Sequence, residues 1–258
     1  ILVVKLLLLQ PTTQLFLISF IFMISALIIS FYDHNYIEEC IASLSFVDEI
    51  IVIGKIDPVV LSGIEHQNLV QFIESENLNF DFLLEKAHSK ASHNWILGLE
   101  ANHCISKQLA EEINEIIMNT DSTGNYKAKI RFKFMGKFLK FSGYRCSYTS
   151  LLVHKNSIKN KTTSKKLKYS IEELYLDFDR YSERQTIQAK QKAQQLYTKS
   201  KQPNLFHFLV KPLWKLKKIF LLKLGFLDGK EGFVFAYLNA FKEFKTYLFL
   251  WLMYRNIE

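Results

Sequence analysis

Short apolar runs separated by helically spaced apolar positions organise the first half of the chain. Ile24-Ser25-Ala26-Leu27-Ile28-Ile29 and Glu49-Ile50-Ile51-Val52-Ile53 are near-continuous apolar stretches, the second ending at Gly54, and read as strands buried on both faces. Between them Ile37, Cys40, Ile41, Leu44 and Val47 recur at helical spacing, with Glu38 and Glu39 expected in the first turn. The product is a β-α-β unit, hence a parallel sheet. A further helical pattern covers residues 80–88 and a third strand residues 94–99. Ser106 then caps a helix through Met118 on Leu109, Ile113, Ile116 and Ile117. The prediction is an α/β fold, a doubly wound and mainly parallel sheet with flanking helices. Its ligands would meet the carboxyl ends of the strands at residues 30–35, 54–58 and 100–104.

The second half is patterned differently. Residues 127–134 alternate basic and apolar side chains, as a half-exposed strand does, and Met135-Gly136-Lys137-Phe138 reads as a turn into the next strand. Residues 155–168 hold six lysines and no acid and read as a solvated basic loop. Residues 172–202 form a polar helix, and Pro203 begins an aromatic-basic tail. Residues 233–252 are apolar except for Asn239, Lys242, Glu243, Lys245 and Thr246. A charge at a bilayer centre costs about 2.5–3.5 kcal/mol on insertion scales, so this segment reads as a packed or surface-lying helix and not a span. The expected organisation is therefore an apolar extension or start artefact over 1–22, an α/β domain over 23–154, the basic loop over 155–168 and a helical membrane-associating region over 169–258. A signal anchor is the alternative for the extension, although its apolar run over 15–30 falls short of the ~20 residues of a spanning helix.

With 258 residues, 49% of them hydrophobic, the chain can bury a sizeable core. Its formal charge of +8 raises nucleic acid, membrane or phosphorylated substrates as partners. Between Arg184 and Leu227 there are ten Lys or Arg residues and no acid, interleaved with Phe, Leu and Trp. Lys211, Trp214, Lys215, Lys217, Lys218 and Lys223 in that run suit a lipid headgroup layer better than a nucleic-acid groove, and no nucleic-acid motif accompanies them. Cys40, Cys104 and Cys146 are odd in number and far apart, which argues against a disulfide framework and for a reducing, cytoplasmic setting.

Several segments, in order from about residue 23 to the end, resemble family 2 glycosyltransferases of the lipopolysaccharide-core type. They include the two strands above, Asn94-Trp95-Ile96-Leu97, Phe134-Met135-Gly136-Lys137-Phe138, Ser142-Gly143-Tyr144 and Arg180-Tyr181-Ser182. The most specific is Lys223-Leu224-Gly225-Phe226-Leu227-Asp228-Gly229-Lys230-Glu231-Gly232, preceded by Lys211-Pro212-Leu213-Trp214. The resemblance implies a GT-A-like fold, a nucleotide-sugar donor, a divalent metal (Mn or Mg), and a lipid-linked glycan acceptor. It also implies a peripheral position on the cytoplasmic face of the inner membrane.

The same resemblance exposes what is missing. Such enzymes use an Asp-x-Asp pair after the third strand to hold the metal and a separate carboxylate to deprotonate the acceptor. Here Leu99-Glu100-Ala101-Asn102-His103 stands at the first place and Ser147 at the second. Tyr32-Asp33-His34 replaces Asn-Glu-Glu, Gly54 replaces an acid, and Lys155 follows Val153-His154 where an acid would be. Glu100, Asn102 and His103 would form a rearranged metal site, or simply a solvated loop. Asp33 and Asp57 would stand in near the nucleotide, or be surface turn residues. Trp95 and Phe132 read as core, and His207 as packed beside Phe206 and Phe208, with a pH sensor as the alternative. The expected function is thus a glycosyltransferase-like protein of lipopolysaccharide or envelope-glycan synthesis with weak or no transferase activity. The alternative is a non-catalytic relative that binds a glycan, a membrane or an active paralogue.

Overall fold

The computed structural model describes residues 24–30, 34–54, 70–74, 89–118, 124–159, 164–175 and 177–257. The expectations for residues 1–22 and 80–88 fall outside them, as do Asp33 and Asp57. Every residue of β1 (Ile24–Ser30) is buried, as its unbroken apolar run requires. It lies between parallel strands β2 (Glu49–Gly54) and β4 (Trp95–Glu100), with β3 (Val70–Glu74) parallel outside β2.

Alternation along β1 sends Ile24, Ala26 and Ile28 to one face and Leu27 and Ile29 to the other. The first set packs with Ile37, Cys40 and Ile41 of α1 (His34–Ala42) and with Leu109, Ile113 and Ile117 of α2 (Lys107–Met118). The second packs with Ile51, Ile53, Ala91 and Ile96. Ser106 accepts the Leu109 N–H at 3.3 Å, the cap expected for α2. Helix α1 starts at His34, so Glu38 and Glu39 fall a turn later than expected, and its first turn holds no acid.

At the amino end of the sheet, buried Glu49 locks the register. Its carboxylate accepts from Ser25 Oγ at 2.5 Å, from the Ser92 N–H at 2.9 Å and from Ser92 Oγ at 2.9 Å. Burial pushes this carboxyl up, but the hydrogen bonds outweigh burial and hold it below its ordinary range.

Beyond β4 the sheet turns antiparallel and mixed. Its order is β3-β2-β1-β4-β8-β6-β9-β5, with β7 (Lys137–Leu139) hairpinned onto β6 (Asn125–Phe134). The neighbours β8 (Tyr148–His154), β9 (Lys165–Tyr175) and β5 (His103–Cys104) complete it. The basic stretch 155–168 is therefore not one loop. Residues 155–159 form a short helix, α3 (Lys155–Lys159), and residues 165–168 open β9. Leu167, Ile171 and Tyr175 of β9 are buried while Lys165, Lys166 and Lys168 stay exposed, so its lysines are the outer face of a strand parallel to β6. Residues 172–175, expected to open the polar helix over 172–202, end β9 instead, and the helical region expected from residue 169 begins at Phe178.

Three helices close the chain: α4 (Phe178–Thr198), α5 (Leu205–Lys217) and α6 (Lys230–Tyr254), with α5 running into a π-helical turn over Lys218–Leu222. Among the described residues no helix is long and apolar enough to cross a membrane. An aromatic cluster joins α4 and α6 to the sheet: Phe132 and Phe134 of β6 and Tyr175 of β9 pack against Tyr181, Phe235 and Ala236.

Residues 223–232, where the family resemblance is most specific, work as a clip. Buried Asp228 accepts the N–H groups of Lys140 at 2.9 Å and Phe141 at 3.1 Å and the Ser142 hydroxyl at 2.6 Å, while its own carbonyl takes Lys137 Nζ at 2.9 Å. Gly232 permits the closure, because a Cβ there would lie 2.0 Å from the Gly225 carbonyl oxygen. Asp228→Ala would remove the acceptor of two backbone N–H groups and of the buried Ser142 hydroxyl, and is expected to cost about 3 kcal/mol. Urea unfolding checks this, and an unchanged midpoint would mean that the clip contributes nothing.

Candidate functional site

The carboxyl end of β4 positions the residues on which any chemistry must rest. Glu100 ends the strand, the Ala101 N–H bonds to the Ile29 carbonyl at 3.0 Å, and the chain turns at once into β5. Strand β5 pairs antiparallel with β9, setting His103 opposite Glu173, and the Asn102 carbonyl accepts the Leu174 N–H at 3.0 Å. This turn is held from both sides and is not a solvated loop.

Inside it, Glu100 forms an ion pair with Arg184 of α4. Side-chain exposures of 25% and 14% place the pair where water screens it only in part. Burial raises the Glu100 carboxyl, but the Arg184 guanidinium and the neighbouring imidazole outweigh burial and bring it below the usual carboxylate range. His103 goes the other way. Burial above all lowers it to about 4, Glu100 opposing and Arg184 adding to the shift, so the imidazole is neutral near pH 7. Its Nδ1 accepts the Glu100 N–H at 3.1 Å, which requires an unprotonated nitrogen there. Asn102 is 1% exposed, and neither its amide oxygen nor its nitrogen has a hydrogen-bond partner.

These residues do not fit a divalent cation. Hard ions need several free oxygen ligands. The Glu100 carboxylate is already matched by Arg184, His103 has one nitrogen committed to backbone, and the Asn102 amide is enclosed. Among the described residues no group of three or more His, Cys, Asp or Glu is placed to hold a metal. Of the expected Glu100-Asn102-His103 metal site, Glu100 and His103 meet beside Arg184, and Asn102 is buried in the turn between them.

The other sequence positions separate. Gly54 ends β2 with φ +143°, and a Cβ there would lie 1.9 Å from the Ser30 carbonyl oxygen. Ser147 lies just before β8, whose amino end shares an edge with the carboxyl end of β4. It is held through its backbone, its carbonyl accepting the Ile130 N–H at 2.9 Å. His154 packs edge-on against Trp95 at 4.9 Å, at the opposite end of β4 from Glu100, and Lys155 Nζ donates to the Ala91 carbonyl at 2.6 Å. His207 completes a reciprocal cap, its Nδ1 accepting the Asn204 N–H at 3.2 Å and its own N–H donating to Asn204 Oδ1 at 3.3 Å.

The basic residues of the tail also divide. Lys211 turns inward onto Tyr247, and Lys215 is lowered by burial first and then by Lys192, Lys223 and Lys218, with Glu243 opposing. Lys217, Lys218 and Lys223 are exposed. Exposed with them is an apolar stripe along α5, where Leu205, Leu209 and Leu213 are 77%, 62% and 65% accessible and Trp214 55%. Sequence reasoning missed Arg184. The i, i+4 series Tyr181, Gln185, Ala189 and Ala193, all buried, was the available signal that α4 presses one face on the sheet and brings its neighbours with it.

Arg184→Met would leave Glu100 unpaired and cost about 3 kcal/mol of stability. The double change Glu100→Gln with Arg184→Met should recover most of that loss, since it leaves no charge behind. Because Glu100 lies below its ordinary range, the stability it contributes is present above about pH 4.3 and is lost as pH falls through its lowered value. Chemical denaturation across pH reads both effects, and additivity of the two single changes would exclude the coupling.

No family model matches the chain. Among solved structures it is similar to S. aureus TarS, at 16% identity and a TM-score of 0.46 over 91% of this chain and 92% of that one. It is also similar to the mannosyltransferase PcManGT from Pyrobaculum calidifontis, whose structure contains GDP-Man and Mn²⁺, at 10% identity and a TM-score of 0.47 over 88% of this chain and 86% of that one.

Proposed function

We propose that this chain is a glycosyltransferase-like protein of lipopolysaccharide or related envelope-glycan synthesis, peripheral on the cytoplasmic face of the inner membrane, in which metal-dependent sugar transfer is weak or lost. The observation that carries this reading is the commitment of Glu100 to Arg184. A metal at the leaving diphosphate contributes several kcal/mol to such a reaction, and an acceptor base a further factor of about 10² to 10⁴. A paired Glu100, an enclosed Asn102, a neutral His103 and a serine at position 147 supply neither.

Calorimetric titration with UDP, GDP and ADP, each with and without Mn²⁺, tests this together with turnover of UDP- and GDP-sugars. The expected result is nucleotide affinity unaffected by Mn²⁺ and no detectable turnover. Glu100→Asp with Asn102→Asp should gain no metal binding unless Arg184→Met is added, because the guanidinium holds the first carboxylate. Mn²⁺-dependent transfer by the unaltered protein, abolished by Glu100→Ala, would sink the reading. Transfer that ignores EDTA and is abolished by Arg184→Met would replace it with a metal-free reaction in which the arginine supplies the positive charge.

The membrane position is supported by the outward apolar stripe of α5 and the exposed lysines at its end. Solvent-facing patches of large apolar side chains mark interaction surfaces, and each Lys near an anionic surface contributes about 1 kcal/mol. Deleting the tail would be uninformative, because Ile219, Phe235 and Ala236 belong to the core. Surface changes avoid this. Leu213→Ser with Trp214→Ser should abolish flotation with phosphatidylglycerol vesicles, and Lys217→Gln with Lys218→Gln should weaken it roughly tenfold, with unfolding midpoints unchanged. Equal recovery of all variants with the vesicles would refute the surface assignment.

A further inference from the structure

Away from the turn after β4, the outer side of the sheet opens a groove of about 490 Å³, lined by β6, by β7 with residues 140–145, and by Ser170 of β9. Lys129 and Arg131 reach it from β6, and Lys140 and Arg145 from the loop. All four are exposed, and among the described residues no Asp or Glu lines the groove.

These cations are positioned without being neutralised. Among the described residues Arg131 alone of the four has a carboxylate within ion-pair distance, Glu172 at 3.0 Å, and side-chain exposures of 51% and 29% leave that pair to water. Arg131 lies over the Phe138 ring at 4.2 Å and Arg145 over the Phe141 ring at 6.0 Å, so ring faces steer both guanidinium groups. The Asp228 clip holds the Lys140 and Phe141 N–H groups, and the Phe141 carbonyl accepts the Tyr144 N–H at 2.8 Å. A surface ordered in advance loses less conformational freedom when a ligand arrives. Lys129, Lys140 and Arg145 leave three positive charges unanswered, which a ligand of several negative charges matches and a monoanion does not.

The surroundings choose among polyanions. Ile130, Phe138, Leu139 and Phe141 are buried or half-buried, so the groove offers a lipid layer no apolar side chain to insert, unlike α5. Single-stranded nucleic acid is held by bases stacking on open aromatic faces. Here Phe138 and Phe141 carry guanidinium groups over their rings, and Tyr144 stacks on Phe132 at 4.3 Å. The volume lies within the roughly 300–1,000 Å³ of small-ligand sites. The groove also reaches the loop of Ser147, whose N–H donates to the Tyr144 carbonyl at 3.3 Å.

We infer that this groove binds a saccharide bearing two or more carboxylate or phosphate groups, with Lys129, Lys140 and Arg145 taking the charge. It rests on the glycan-handling reading above and adds to it a place and a charge class.

Calorimetry on the full chain, without nucleotide or metal, tests this with trigalacturonate, glucose 1,6-bisphosphate, maltotriose, inorganic phosphate and an oligothymidylate. One or both acidic saccharides should bind saturably, about tenfold or more tighter than maltotriose and inorganic phosphate, and more weakly as salt rises. Which of them binds identifies the anion. Lys129→Gln with Lys140→Gln should weaken that binding about tenfold or more and leave the unfolding midpoint in place. Lys199→Gln with Lys201→Gln removes the same charge from another exposed surface and should leave binding unchanged. Maltotriose or inorganic phosphate binding as tightly would overturn the inference, as would no saturable binding of either acidic saccharide. An equal loss on Lys199→Gln with Lys201→Gln would also overturn it, by showing an effect of net charge alone. Tighter binding of the oligothymidylate would make the face a nucleic-acid surface instead. Flotation with phosphatidylglycerol vesicles that is lost on Lys129→Gln with Lys140→Gln, without saccharide binding, would assign it to lipid. Because no nucleotide is present, failure here leaves the donor-site reading standing, and failure of that reading leaves a positive saccharide titration standing.

Discussion

The ion pair between Glu100 and Arg184 is the constraint around which the two halves of this protein are arranged. A lone carboxylate at the carboxyl end of a buried strand needs a countercharge, and this fold draws it from a helix 84 positions away in sequence. Once α4 is held there, Tyr181 joins the aromatic cluster of β6 and β9 with Phe235 of α6, and Ala193 packs on Tyr247 and Leu250 of α6. The turn after β4 is thereby joined to β9 and to α4.

The clip at Asp228 serves the same architecture from the other side. It fixes residues 140–142, and these lead directly to Tyr144 and Ser147, so the loop at the sheet edge takes its shape from a carboxylate on the C-terminal helices. The C-terminal region is not an appendage in the energetic sense. Its inward residues complete the core, while its outward residues present Leu205, Leu213 and Trp214 to the surroundings. The residues that complete the core and those that face the surroundings therefore lie on different faces of the same helices.

How much of this was readable from the residues depended on burial. Strands β1, β2 and β4 and helix α2 announced themselves because both faces, or one continuous stripe, are apolar. Strand β9 did not, because Lys165, Lys166 and Lys168 surround Leu167, and one buried residue among lysines looks like a loop until a neighbouring strand is known. That Asn102, Gly54 and Ser147 stand where the family resemblance implies acids came from the resemblance and not from burial or spacing. Arg184 was not readable, since a charge balance across 84 positions leaves no local trace. Nor were the buried Tyr175 hydroxyl and Gln185 Oε1, which lack hydrogen-bond partners and lie on two elements whose packing only the fold defines.

Gly54 also limits what the carboxyl end of β2 can become. At its φ of +143° a Cβ would lie 1.9 Å from the Ser30 carbonyl oxygen, and β1, wholly buried between β2 and β4, has nowhere to retreat. Any side chain at this position, an acid included, therefore demands that the centre of the sheet spread before it can confer any benefit. The glycine thus acts as a steric lock on this strand end, one that no single substitution opens without moving backbone.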